Sequence, residues 1–152
     1  MTDLELRVVR YDDPVAQELV AEVQAEYVLR YGGPDRTPVD VEEFTPPRGL
    51  FLVGLVGDVP VAAGAFRAHG DGVAEIKRMY VRRAHRGRGL GRALLDELER
   101  RARAAGHRRV VLETGTRQPE AIALYAASGY EPIEKFGIYR CEPSSRCYGK
   151  DL

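Results

Sequence analysis

Residues 73–105 read "VAEIKRMYVRRAHRGRGLGRALLDELERRARAA" and admit few arrangements. The first nine contain no turn former and suit a strand. Farther on, Leu90, Leu94, Leu95, Leu98 and Ala102 recur at three- and four-residue steps, which predicts a long amphipathic helix stopped at Gly106. Between strand and helix lie Arg82, Arg83, Arg86 and Arg88, interleaved with Gly87, Gly89 and Gly91. A helix start presents unpaired N–H groups and the positive end of the helix dipole, and phosphate binds there readily. Glycine lets an anion approach the backbone, and arginine adds charge-assisted hydrogen bonds. Strand, basic glycine loop and helix together point to a pyrophosphate ligand. The loop alone is equally compatible with a basic turn that holds nothing. Its spacing, Gly87-x-Gly89-x-Gly91, is not the Gly-x-Gly-x-x-Gly of dinucleotide folds, and no Gly-Lys-Ser/Thr of a P-loop occurs.

The rest of the chain sets this unit in a single domain, residues 1–152, of class α/β (α+β). "LELRVVRY" (4–11) alternates like a half-buried strand. "DDP" (12–14) caps a helix that runs to about Arg30, and "YGGPDRTP" (31–38) ends it. "VDVEEF" (39–44) reads as a short helical piece. "LFLVGLV" and "VPVAAGAF" flank a tight "GD" and form a hairpin, which "HGDG" turns into the strand 73–81. After the long helix come a strand at 108–114, a short helix at 118–129 between Pro119 and Gly129, and two closing strands in "YEPIEKF" and "SSRCYGKDL". The expected sheet is mixed and mostly antiparallel.

Bulk properties exclude several classes. Hydrophobic residues at 44% and charged residues at 30% indicate a globular chain rather than a disordered one. With 23 basic and 23 acidic residues the net charge is zero, which argues against a nucleic-acid binder. The 2 cysteines, Cys141 and Cys147, make neither a disulfide framework nor a four-ligand zinc site, so reduced thiols and no metal are expected. No signal-peptide pattern and no membrane-length apolar run is seen, so the expected location is cytoplasmic.

Arg86-x-x-Gly89-x-Gly91, directly after "MYV", resembles the acetyl-coenzyme A signature of the GCN5-related N-acetyltransferases (GNAT). Downstream, "QPEAIALYAASGY" is similar to that family's Asn-x-x-Ala-x-x-Leu-Tyr-x-x-x-Gly-Phe, with Gln118 for Asn and Tyr130 for Phe. The order of elements also matches, although the first fifty residues do so in layout only. The resemblance implies the GNAT acyl-CoA N-acyltransferase fold: 6–7 strands flanked by about 4 helices, with strands 73–81 and 108–114 splayed around a cleft. It implies acetyl-CoA as acyl donor and an amine as acceptor. The pantetheine arm would pair with backbone groups of Met79 and Val81, like an added strand. The pyrophosphate would rest on the N–H groups of residues 86–91, that is Arg86, Gly87, Arg88, Gly89 and Gly91, with Gln118 beside the coenzyme. Arg83, Arg88 and Arg117 are the candidates for the 3′-phosphate, and the sequence does not choose among them.

An amine acceptor is protonated at neutral pH and must lose a proton before it attacks a thioester. The resemblance makes Glu75 the first candidate for the base, with a surface ion pair as its alternative. Glu113 is the rival base or ammonium anchor. If the strand is regular, Glu75, Lys77, Met79 and Val81 share one face; a bulge would change that parity, and the resemblance implies that one is common here. The resemblance also makes Tyr125 the candidate general acid for the departing thiolate. His69, His85 and His107 have no evident partner. The acceptor would enter between residues 27–38 and 134–145, where Tyr27, Tyr31, Phe136 and Tyr139 form an aromatic wall and Asp35 and Glu134 attract an amine. A small-molecule acceptor is expected. A protein-amine acetyltransferase, a non-catalytic acyl-CoA sensor module and a homodimer stay open.

Overall fold

The computed structural model describes residues 3–152. Seven strands form one sheet: β1 (Leu4–Val9), β2 (Leu50–Val56), β3 (Val59–Ala68), β4 (Val73–Val81), β5 (Arg109–Gly115), β6 (Glu131–Pro132) and β7 (Ser145–Asp151). Their order across the sheet is β1-β2-β3-β4-β5-β7-β6. All neighbours pair antiparallel except β4 and β5, which run parallel. Three α-helices flank the sheet: α1 (Pro14–Tyr31), α2 (Leu90–Ala104) and α3 (Pro119–Ala127). Two short 3-10 turns, Val41–Phe44 and Arg83–His85, complete the set, so the helical piece expected at 39–44 is present as a tight turn. None of the described helices is long and apolar enough to cross a membrane.

The ends of these elements follow from local chemistry. The Asp13 side chain accepts from the Val15 N–H at 2.9 Å and Pro14 opens α1, while Gly32 closes it in the left-handed region at φ 81°. Gly57 and Asp58 both have positive φ, 56° and 66°, as a two-residue hairpin turn demands. β2 is buried on both faces, which is why it reads as an unbroken apolar run. Leu50 and Leu52 face α2, together with Phe66, Ile76 and Leu112. Phe51, Val53 and Leu55 face the other way, onto Leu19 and Val20 of α1 and onto Phe44. The helix stripe in α2 is fully inserted, with Leu94, Leu95, Leu98 and Ala102 all at 0% exposure.

The strand expected across "YEPIEKF" is much shorter, only Glu131–Pro132. Pro132 has no N–H to extend a ladder, and the chain then turns through Gly137, at φ 80°. Residues 133–144 therefore arch over the end of the sheet.

Two features open the sheet. The β4–β5 ladder runs only from Val73↔Arg109 to Ile76↔Leu112, so the second half of β4 has lost its neighbour on that side. β4 also carries a bulge. Lys77 pairs with Ala65 and Tyr80 with Ala63, so Arg78 and Met79 stand together opposite Gly64, and Arg78 takes a left-handed φ of 60°. The bulge breaks the parity of a regular strand. Glu75, Lys77 and Tyr80 face α1, whereas Ile76, Met79 and Val81 face α2. Met79 and Val81 thus do not share a face with Glu75, because the extra residue reverses the alternation.

Candidate functional site

A cleft of about 780 Å³ opens where β4 and β5 part. It runs from the glycine loop, past the free edge of β4, to the arch between β6 and β7.

The loop end is built from backbone. Gly87 and Gly89 sit at φ 77° and 78°, conformations that a side chain would strain. Gly89 is the N-cap of α2 and no side chain caps that helix, so its first-turn N–H groups are left for a ligand. Gly91 serves a different purpose: a Cβ there would sit 3.4 Å from Leu124 Cδ2, so its small size lets α2 start close against α3.

The arginines do not follow the sequence expectation. Arg86 turns inward: its Nε donates to the Val81 carbonyl at 2.7 Å, its Nη2 to Glu26 at 2.7 Å, and its guanidinium lies 5.7 Å from the Tyr80 ring centroid. Arg82 binds Glu22 through Nε and Nη2, with Glu18 and the Pro60 carbonyl as further partners. Glu18, Glu22 and Glu26 occur every fourth residue along α1, one acidic stripe facing these arginines. That periodicity was the available signal for the clamp, and reading the loop by itself hides it. Arg83 and Arg88 are exposed, and Arg88 does not line the cleft, whereas Arg117 does.

Val81 keeps one free backbone group. Its carbonyl is taken by Arg86, while Arg82 donates its N–H to Val61 across the β3 ladder at 2.8 Å. By strand alternation the Val81 N–H then faces the open edge, and Met79 lies on the same unpaired stretch. Gln118 borders the cleft as the residue preceding α3, and its Oε1 accepts from the Tyr31 hydroxyl at 3.1 Å.

Deeper in the cleft the titratable groups sort themselves. Tyr125 borders it at 6% exposure, with its ring edge-on to Tyr130 at 5.7 Å. Burial pushes its phenol well above the ordinary tyrosine range, so it holds its proton. Glu113 also lines the cleft, with Ser145 Oγ 3.3 Å from its Oε2. Burial raises its carboxyl above the usual range, against the opposing pull of Lys77.

Glu75 lies elsewhere. It is 3% exposed and absent from the cleft lining, and its Oε1 accepts from Arg67 Nε at 3.0 Å, with His69 Nδ1 at 3.6 Å. Arg67 goes on to Glu43 at 3.0 Å and the Pro38 carbonyl at 2.9 Å, so the group ties the strands to the segment after α1. Lys77, two residues farther along β4, binds Asp35.

Of the residues expected around the acceptor, Tyr27, Tyr31, Asp35 and Tyr139 line the cleft and Phe136 and Glu134 do not. Phe136 packs on His69, with centroids 4.8 Å apart. The Asp35 carboxylate is not free for an amine: its Oδ2 accepts from Lys77 Nζ and from Arg78 Nη1, both at 2.7 Å, and its Oδ1 from the Thr37 N–H at 2.9 Å. His85 borders the cleft, and its Nδ1 has no hydrogen-bond partner among the described residues.

Comparison with known proteins agrees with this architecture. Residues 16–130 match the model of the acetyltransferase (GNAT) family. A protein named IAA acetyltransferase from Azospirillum brasilense is 37% identical over 115 residues, which is 75% of each chain. The uncharacterized N-acetyltransferase YjgM of Escherichia coli is 29% identical over 136 residues, 84% of this chain and 81% of its own. Among solved structures, a putative acyl-CoA N-acyltransferase from Klebsiella pneumoniae superposes with a TM-score of 0.84 at 30% identity, covering 99% of this chain and 98% of that one. The PaiA N-acetyltransferase of Thermoplasma acidophilum, solved with coenzyme A, shares the fold with a TM-score of 0.73 at 16% identity, covering 99% of each chain.

Proposed function

The chain belongs to the GNAT family of acetyltransferases, and from that premise we propose that it transfers an acetyl group from acetyl-CoA to a primary amine of a small molecule by direct attack. The observation that carries this reading is a single cleft that joins a glycine-built anion cradle to a half-buried carboxyl and a buried phenol. The free N–H groups at the start of α2 receive the pyrophosphate, and the open edge of β4 at Met79 pairs with the pantetheine arm, which leaves the Val81 N–H for the reacting carbonyl. The Arg86 backbone N–H is already donated to the Arg83 carbonyl at 3.2 Å, so Arg86 serves through its side chain, which holds the loop against α1 and the Val81 carbonyl.

Glu113, rather than Glu75, is the base in this reading, because it borders the cleft while Glu75 is spent on Arg67. The ammonium gives one proton to Glu113. The amine nitrogen then forms a bond to the thioester carbonyl carbon, and the Val81 N–H steadies the oxyanion. The C–S bond breaks, the thiolate takes the Tyr125 proton, and the nitrogen's second proton passes to solvent. Tyr125 regains its own proton from solvent, and Glu113 releases the acceptor's proton to solvent.

The test is release of free coenzyme A from acetyl-CoA with a broad panel of small amines. Turnover above the amine-free rate is expected. Tight acetyl-CoA binding with no turnover on any amine overturns the reading in favour of a sensor module. Tyr125→Phe is expected to lower kcat by about 100-fold or less, because a thiolate is a far weaker base than an alkoxide and needs modest help to leave. Coenzyme binding by calorimetry should stay within about threefold in that variant, since the hydroxyl acts on the leaving group and not in binding. A drop in binding that matches the drop in rate would remove Tyr125 as acid.

A further inference from the structure

The wall of the cleft opposite the base has an uneven charge count. Lys77 and Arg78 are 7% and 4% exposed, and both direct a nitrogen to the same atom, Asp35 Oδ2. Asp35 supplies one negative charge to two positive ones. Arg78 Nε is buried with no hydrogen-bond partner among the described residues. The fold also accepts a strained, left-handed backbone at Arg78, φ 60°, to set this side chain there. All three residues border the cleft, as does Glu113. At the rim, the exposed Arg36 and Glu142 offset each other in charge.

Glu113 lines the same cleft, and here the inference depends on its role as base. Among the described residues it makes no ion pair with Lys77 or Arg78, whose shared partner is Asp35, so even ionised it leaves the second cation without a direct partner. Once it has taken the acceptor's proton it is neutral, and the buried wall holds one unmatched positive charge. A buried, unmatched charge is costly. An anionic group on the acceptor would remove that cost at the moment of reaction, when it assists the rate most.

We propose that the acceptor is an amino acid, a primary amine bearing a free carboxylate, held with the carboxylate against Lys77 and Arg78 and the amine toward Glu113. Tyr31, Ile138 and Tyr139 then form the wall for its side chain. The proton lost by the amine and the charge supplied by the carboxylate keep the wall close to neutral through the transfer.

The test uses matched acceptors on the wild-type chain: an amino acid with an apolar side chain, its α-carboxamide, and the amine left after decarboxylation. Each is assayed by release of coenzyme A, and several side chains are compared. The acid is expected to show kcat/KM higher than its amide by about 30-fold or more, the range for pairing or orphaning a buried charge. Equal or faster acetylation of the amides or the amines overturns the proposal while leaving acetyl transfer itself intact. Preferential acetylation of peptide N-termini overturns it in favour of a protein acceptor. Turnover with no amine of any kind overturns both this proposal and the acetyltransferase reading of the cleft. In Lys77→Met, checked for folding by circular dichroism, the acid-to-amide ratio is expected to fall at least about tenfold. An unchanged ratio in folded Lys77→Met and folded Arg78→Met also overturns it.

Discussion

Glu113→Gln is expected to lower kcat by about 100- to 10,000-fold at neutral pH, the span over which a positioned general base contributes. The amide keeps the shape and the contact with Ser145 Oγ but cannot accept a proton. In the wild-type chain the acid limb of the rate profile should lie above the ordinary carboxylate range, because burial raises the Glu113 carboxyl. Activity should climb as pH rises through that limb, and the limb should vanish in the variant. The stability consequence has the opposite sign. A carboxyl whose folded pKa exceeds its unfolded value contributes stability that is complete below the unfolded pKa and is lost as pH rises through the folded one. Above the acid limb the ionised Glu113 is therefore a burden, and there Glu113→Gln should match or exceed wild type in urea midpoint. Glu75→Gln offers the contrast. It leaves the guanidinium of Arg67 short of a charged partner, so it should lower the midpoint while keeping the acid limb. A profile that loses its acid limb in Glu75→Gln and retains it in Glu113→Gln would reverse the assignment.

That reversal of candidates shows where sequence reading ends in this fold. The strand, the glycine loop and α2 were legible because each rests on a local rule: apolar period, positive φ at glycine, a leucine stripe. The contact of Gly91 with Leu124 of α3 was not, because it joins two elements that no local rule connects. Nor was the bulge. It is centred on an arginine in the left-handed region, a position that local preference assigns to glycine or asparagine. Only the packing of Met79 on α2 and the pull of Asp35 on Arg78 account for it, and neither leaves a mark in residues 73–81. One extra residue then decides which of Glu75, Lys77, Met79 and Val81 share a face. The ion pairs were hidden in a different way. Arg82 and Arg86 looked like ligand binders because charge near a helix start suggests a phosphate, but the acids that claim them are 60 residues away on α1. Asp35 meets its cations across 42 and 43 residues, a distance no spacing rule spans.

Asp35→Ala should be the most damaging single substitution in the cleft wall for stability, at about 3–5 kcal/mol, because it leaves two buried cations without their shared partner. For a domain whose total stability is about 5–15 kcal/mol, that is a large fraction. Burial by itself would raise the Asp35 carboxyl, but Lys77 and the Thr37 N–H together hold it well below the usual range. Its folded pKa is thus depressed, so its contribution is complete above the unfolded carboxylate pKa, near 3.9, and is lost as pH falls through the folded value. The gap between wild type and Asp35→Ala in urea midpoint should accordingly be widest at neutral pH and narrow in acid. Removing the cations as well tests the cause. In Asp35→Ala combined with Lys77→Met and Arg78→Met, no buried charge is orphaned, and most of the lost stability should return. If the triple variant is no more stable than Asp35→Ala, the loss comes from packing of the 31–38 segment and not from charge. A single variant within about 1 kcal/mol of wild type would mean that water reaches Lys77 and Arg78, and that the strained, two-cation wall is not a dry site. The same measurement therefore bears on the acceptor, since only a dry wall can favour a carboxylate strongly over its amide.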